Sequence, residues 1–206
     1  MRKILLLLML FLLVGNTMIF AQDYNKTDKQ GRRQGPWVDF YANGQKRYEG
    51  QFKNDRCFGE FKYYDEQGRL KATNTFDRSG EKALNKTYAP NGTLIATGYY
   101  VNQKKGGEWR YYSENNGKLI LVEENKNGKI HGNSTVYYET GTVMMERQFV
   151  EDQLEGHAKV YYPSGALKEE GDYHQGNKTG VWKAYNEDGD VISSDNFSKP
   201  TLNGFD

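Results

Sequence analysis

Three histidines, one cysteine and several adjacent carboxylates are the residues of this chain whose chemistry could be catalytic. His131 lies 26 residues before His157, and His157 lies 17 before His174. A bound metal needs ligands that converge on one point at ligand-like spacing, and these three share no common interval, so they read as surface histidines. The carboxylates come as Glu123-Glu124, Glu169-Glu170 and Glu187-Asp188. Acid–base chemistry would need a facing pair with one member buried and its pKa raised. Neighbours on a strand point to opposite faces, so these pairs read as a solvated sheet face. Cys57 stands alone; it has no internal disulfide partner and reads as a small half-buried apolar residue. No G-x-x-x-x-G-K-[ST] or G-x-S-x-G motif occurs. QGNKTG (175–180) and KNGKIHG (126–132) lack the strand-to-helix setting of a phosphate loop and read as turns. No catalytic residue, cofactor or metal is expected.

The elements that carry these residues repeat. Gly35, Gly59, Gly107, Gly132, Gly156 and Gly180 mark the starts of units of about 24 residues, with Ala83 starting a seventh. Five residues after each start stands an aromatic: Phe40, Tyr64, Tyr88, Tyr112, Tyr137, Tyr161 and Tyr185. A second glycine follows in every unit: Gly44, Gly68, Gly92, Gly117, Gly141, Gly165 and Gly189. Eight residues after it come Phe52, Phe76, Tyr100, Phe149, Tyr173 and Phe197, with Asn125 as the exception. Four columns in phase over seven units define an internal repeat. Each unit reads as two short strands around a glycine turn, because glycine accepts the positive φ that tight turns need. The fold class is therefore all-β: an elongated antiparallel meander of about seven stacked hairpins.

Within the first strand, the position two after the start is Trp37, Phe61, Trp109 or Trp182 in four units, and Asn85, Ser134 or Ala158 in three. The unbroken aromatic column has the opposite parity. Either both faces carry aromatics, or a bulge shifts the phase. Lys62, Lys86, Arg110, Lys159 and Lys183 all lie three after a start and form a stripe along one face. Cations keep a long sheet soluble and deter edge pairing. Beside aromatic tips, Tyr and Trp among them, they are also the candidate binding stripe.

Composition limits the partners. Lys and Arg number 28, Asp and Glu 27, and the formal charge is +1. Setting aside Arg2 and Lys3 of the leader leaves 26 cations against 27 anions. Such a chain has no net field to draw in nucleic acid. The first 21 residues have a charged start, an apolar core over Ile4–Val14 and a small residue, Ala21, before Gln22. That pattern is a cleaved signal peptide, which implies export to the periplasm or beyond. The expected organisation is 1–21 signal peptide, 22–34 lead-in, 35–197 repeats and 198–206 tail.

The columns resemble MORN repeats in their bacterial variant form, G-x-W-x-x-Y-Y followed by a turn ending in glycine, then an aliphatic and E-x-x-[YF]. GEWRYYSENNGKLILVEE (107–124) shows the first half and GHAKVYYPSGALKEEGDY (156–173) the second. The units departing from the pattern are those with Ala83, Asn85, Ser134 and Ala158. The resemblance implies stacked hairpins used as a scaffold or binding surface. It extends to YwqK-type antitoxin-family proteins, which makes an antitoxin-like role one alternative. The expected function is that of an exported, non-enzymatic protein presenting a β-surface to a protein partner. Binding to a membrane surface or a glycan is the other alternative.

Overall fold

The computed structural model describes residues 23–198. The leader and residues 199–206 of the tail lie outside the described residues. Sixteen strands form one open antiparallel sheet among the described residues. They run β1 (Lys26–Thr27), β2 (Arg33–Phe40), β3 (Lys46–Lys53), β4 (Arg56–Tyr64), β5 (Leu70–Phe76), β6 (Lys82–Tyr88), β7 (Leu94–Val101) and β8 (Lys104–Tyr112). They continue with β9 (Leu119–Lys126), β10 (Lys129–Tyr137), β11 (Val143–Val150), β12 (Gln153–Leu154), β13 (Gly156–Tyr161), β14 (Leu167–His174), β15 (Asn177–Tyr185) and β16 (Val191–Asn196). Apart from the two-residue β1 and β12, these are the fourteen strands of seven hairpins, each paired with the next in chain order.

Six of the seven hairpins turn in the same way; the β8–β9 turn is one residue longer, with the amide of Gly117 donating to the carbonyl of Ser113 at 2.8 Å. The amide of Gly44 donates to the carbonyl of Tyr41 at 3.0 Å, and the amide of Tyr41 donates to the carbonyl of Gln45 at 2.8 Å. The second glycine sits at positive φ, from 68° at Gly117 to 92° at Gly165. One residue then bulges from each second strand. Tyr63 pairs with Ala72 and Tyr64 with Leu70, so Lys71 is the extra residue. The same one-residue shift recurs in all seven hairpins. Because the surplus lies in the second strand, alternation in the first strand is intact. Both faces therefore carry aromatics, which answers the parity question.

The links between hairpins show why one start glycine could be replaced. At most junctions a two-residue turn with both residues at positive φ, such as Asn54-Asp55 or Asn102-Gln103, reverses the chain. Two further residues are then absorbed at the start glycine: Gln51 pairs with Phe58, but Glu49 pairs with Lys62. Gly59 takes φ 65° there, a conformation costly for a residue with a Cβ. The β5–β6 junction has Ala83 at this place, and its register runs unshifted from Phe76↔Ala83 to Ala72↔Thr87. Its surplus sits instead in a wider turn, where Gly80 takes φ 74°. The unit keeps its length and moves its irregularity from strand to loop.

The core lies on one face of the single sheet. Trp109 and Phe61 are 2% exposed and Trp182 is 4% exposed. Each of these rings lies on a glycine of the preceding strand. A Cβ on Gly50, Gly98 or Gly171 would overlap the ring of Phe61, Trp109 or Trp182 respectively. The aromatics eight after the second glycine close edge-on against these rings, with centroids 5.1 Å apart for Tyr100–Trp109 and 5.0 Å for Tyr173–Trp182. Edge-to-face contact of this kind adds to area burial. The indoles of Trp109 and Trp182 donate to the carbonyls of Tyr99 and Asp172 at 3.1 and 3.0 Å.

The three units without a ring obey the same rule in reverse. Asn85, Ser134 and Ala158 face Asn74, Glu123 and Arg147, none of them glycine. In the six units that follow another repeat, ring and glycine occur together or neither does; Trp37 belongs to the first unit, with no repeat before it.

The ends of the sheet differ. The Asn25 side chain donates to the carbonyl of Val38 and accepts from its amide, both at 2.9 Å. It supplies β2 with the bonds of a missing neighbour. Strand β16 is exposed along its whole length.

Candidate functional site

The face opposite the rings carries the sequence-predicted stripe. Lys62, Lys86, Arg110, Lys159 and Lys183 share it, together with the tyrosine column of the first strands. The tryptophans do not: their indoles lie on the other face, buried at Trp109 and Trp182 and half-buried at Trp37, so the expected Trp tips beside the cations are absent. The aromatics five after each start are not the core either, since Phe40 is 52% exposed and the tyrosines are half-buried.

The stripe is partly neutralised. Lys62 pairs in register with Glu49, Lys159 with Glu146 and Glu170, and Lys183 with Glu170. The column's tyrosines bind the same carboxylates. The hydroxyls of Tyr64, Tyr161 and Tyr185 donate to Glu49, Glu146 and Glu170 at 2.5, 2.7 and 2.7 Å. Desolvation first, and the carboxylate second, push the Tyr64 and Tyr161 phenols up to about 12. Glu49 is held below the ordinary carboxylate value, by Lys46 first and then by Tyr64. Two stripe cations also pair along their own strand, Arg110 with Glu108 at 2.6 Å and Lys62 with Glu60 at 3.4 Å. Lys86 lies between Thr73 and Thr97.

The residue after the column aromatic reaches the other way. Tyr41, Tyr138 and Tyr162 donate to the carbonyls of Tyr64, Tyr161 and Tyr185 in the following repeat, at 2.7–2.8 Å. The tyrosine pair of a unit thus ties back to one neighbour and forward to the next.

The ring face holds its own cations, which the three-after-start column did not reveal. Lys178 Nζ sits 3.7 Å from the Trp182 ring centre, Lys105 Nζ 4.6 Å from Trp109, and the Arg33 guanidinium 5.8 Å from Trp37. Each stands two before its start, in a tryptophan unit. The signal was in the sequence, but the column has only these three members, with Cys57, Glu81, Ile130 and Leu154 in the other units.

The catalytic candidates resolve into structural roles. Glu123 is 7% exposed and not part of a solvated face, which corrects the sequence reading of this pair. It accepts from Tyr111 at 2.6 Å and Asn125 at 3.2 Å, with Lys105 at 3.8 Å. Burial and the Glu123 carboxylate drive the Tyr111 phenol far up. This cluster also explains Asn125, the break in the aromatic column: it satisfies a buried carboxylate, which could not remain unpaired. Glu124 points the other way and accepts from the amide of Asn133. His157 bridges Asp172 and Glu170, and His174 meets Glu155, all exposed. Burial pushes the Cys57 thiol up, away from the reactive thiolate.

Three stretches of the chain, residues 33–54, 130–151 and 154–175, match the family model of the MORN repeat variant. The chain carries MORN repeats of the variant form at these three places. The first two windows are the hairpins β2–β3 and β10–β11, and the third spans β12 to β14. The other four MORN-like hairpins share the bulge of these three, and all but the β8–β9 hairpin share the turn. No curated protein matches the chain. MORN repeats are in general non-catalytic, and a repeat sheet of this kind fits a protein used for binding.

Proposed function

We propose that this MORN-repeat protein is exported, is not an enzyme, and presents the stripe face of its sheet to a protein partner. The observation that carries the reading is the division of labour between faces. One face spends its aromatics on burying itself. The other keeps lysines, glutamates and tyrosine edges at regular spacing across successive repeats, a surface of the polar and aromatic kind used in recognition. Lys86, which stands between two threonines, is the centre of the proposed contact, with Arg110 of the next repeat beside it.

The test is capture from a native envelope extract with the full chain as bait, beside a K86E/R110E variant. A stoichiometric protein that survives a high-salt wash and is lost with the variant is the expected result. Retention of lipid alone, released by salt, would replace the reading with one of membrane-surface binding. A protein held equally by native chain and variant would remove the stripe from the interface.

A further inference from the structure

The row of rings is interrupted at Asn85, and a cavity of about 1040 Å³ opens there on the ring face. The three ring-less units are not alike. Beside Ser134 stands the long, buried Glu123. Beside Ala158 stands Arg147, folded over Phe149 at 5.4 Å. Beside Asn85 stands only Asn74, and these two short amides leave the space of an indole unfilled.

The walls and floor of this cavity differ in chemistry. Tyr63, Phe76 and Tyr100 line its sides. On the floor, Asn85 Nδ2 donates to Asn74 Oδ1 at 2.7 Å, and Thr87 Oγ1 donates to Asn85 Oδ1 at 2.9 Å. Asn85 is 5% exposed, so its amide is fixed in place. At the rim, Arg33 is matched by Asp55 at 3.0 Å and Arg47 by Asp39. Arg56 and Lys71 also line the rim and have no ion pair among the described residues. Glu81 is the remaining acid there.

A purely apolar ligand would cut the floor off from water and leave unused the hydrogen-bonding capacity that two amides and a hydroxyl keep beyond their mutual bonds. A bare anion would gain nothing from three aromatic walls, and a bare cation would meet the basic rim. A ligand with C–H faces, hydroxyl edges and negative charge uses all three features. The negative faces of aromatic rings receive C–H groups, planar amides exchange hydrogen bonds with hydroxyls, and guanidinium and ammonium groups take carboxylates. The volume is that of sites for ligands of a few rings. We propose that the cavity between β4 and β8 binds an acidic, uronate-type oligosaccharide, stacked on Tyr63 and Tyr100 with its carboxylates at Arg56 and Lys71. This site is centred on the face opposite the protein-partner stripe, with Tyr64 at its edge, and does not depend on that reading.

The test is calorimetric titration of the full chain with a short oligogalacturonate and with its uncharged methyl ester. Two variants accompany it. N74G/N85W installs the ring-on-glycine pair of the neighbouring repeats and fills the cavity; R56Q/K71Q leaves the cavity and removes the rim charge. The expected result is binding of the acid, at least about tenfold weaker binding of the ester, and loss of binding in N74G/N85W. R56Q/K71Q should bring the acid down to the level of the ester, and it decides the matter if N74G/N85W fails to fold. Absence of binding by the native chain overturns the proposal. So does equal affinity for acid and ester, or binding that survives both variants.

Discussion

The junction of β7 with β8 and that of β5 with β6 do the same job with opposite chemistry. In the first, Trp109 lies on Gly98, hidden from water and closed by Tyr100. In the second, Asn85 and Asn74 meet as a hydrogen-bonded amide pair beside an open cavity. The first takes most of its stability from buried aromatic area. The second gives up that area and keeps its register through the strand ladder and a polar floor. A single-layer sheet can therefore be stabilised in some repeats and left accessible in others, without changing the length of the unit.

Removing the ring should have the largest effect. Trp109→Ala is expected to cost about 3–5 kcal/mol, whereas Asn85→Ala, which removes an amide pair, should cost about 1 kcal/mol. Urea unfolding of the two variants checks this, and equal losses would erase the distinction between the junctions. Next comes the floor beneath the ring. Gly98→Ala should cost about 1–3 kcal/mol, because its methyl group would displace the indole. Combined with Trp109→Ala, it should add much less than it does alone. An additive result in that double-mutant cycle would mean that the glycine serves the backbone and not the ring.

The smallest effect concerns the other face, where the contrast does not apply. Glu49 titrates below its ordinary value of 4.5 in the folded chain, so on acidification the unfolded chain takes up the proton first. The stability it contributes is complete above about pH 4.5 and disappears as the pH falls through the folded value. Tyr64→Phe removes one of its two hydrogen-bond donors. It should cost about 1 kcal/mol or less at neutral pH and narrow that acid window. Carboxyl titration by NMR reads the shift directly, and an unchanged Glu49 titration would show that Lys46 alone holds it.

Much of this architecture was legible in the sequence because each hairpin solves the same local problem. Gly44, Gly68 and their equivalents are needed for a positive φ, so they recur without exception and count the hairpins. The pairing of Gly98 with Trp109 was harder to see. Its two members belong to different units, and only the register brings them together, although Gly50, Gly98 and Gly171 all stand six after a second glycine. The burial of Glu123 was hidden for a related reason. An acid in sequence looks solvated unless its partners are known, and Tyr111 and Lys105 reach it from the neighbouring strand while Asn125 reaches it from two places along its own. The cation stripe was visible because it is regular. Its neutralisation was not, since Glu49 and Glu146 face Lys62 and Lys159 from the preceding repeat and only the register brings them together.

The amide of Asn25 has a consequence for how the molecule comes apart. Strand β2 finds its outermost backbone groups already satisfied, while β16 offers its own to solvent. An array of near-identical units, each holding only its neighbours, opens at the end that is least secured. Opening should then have a direction: amide protons of the last hairpin exchange first, and protection rises hairpin by hairpin toward Val38. The chain behaves as a zipper with its stop sewn at one end.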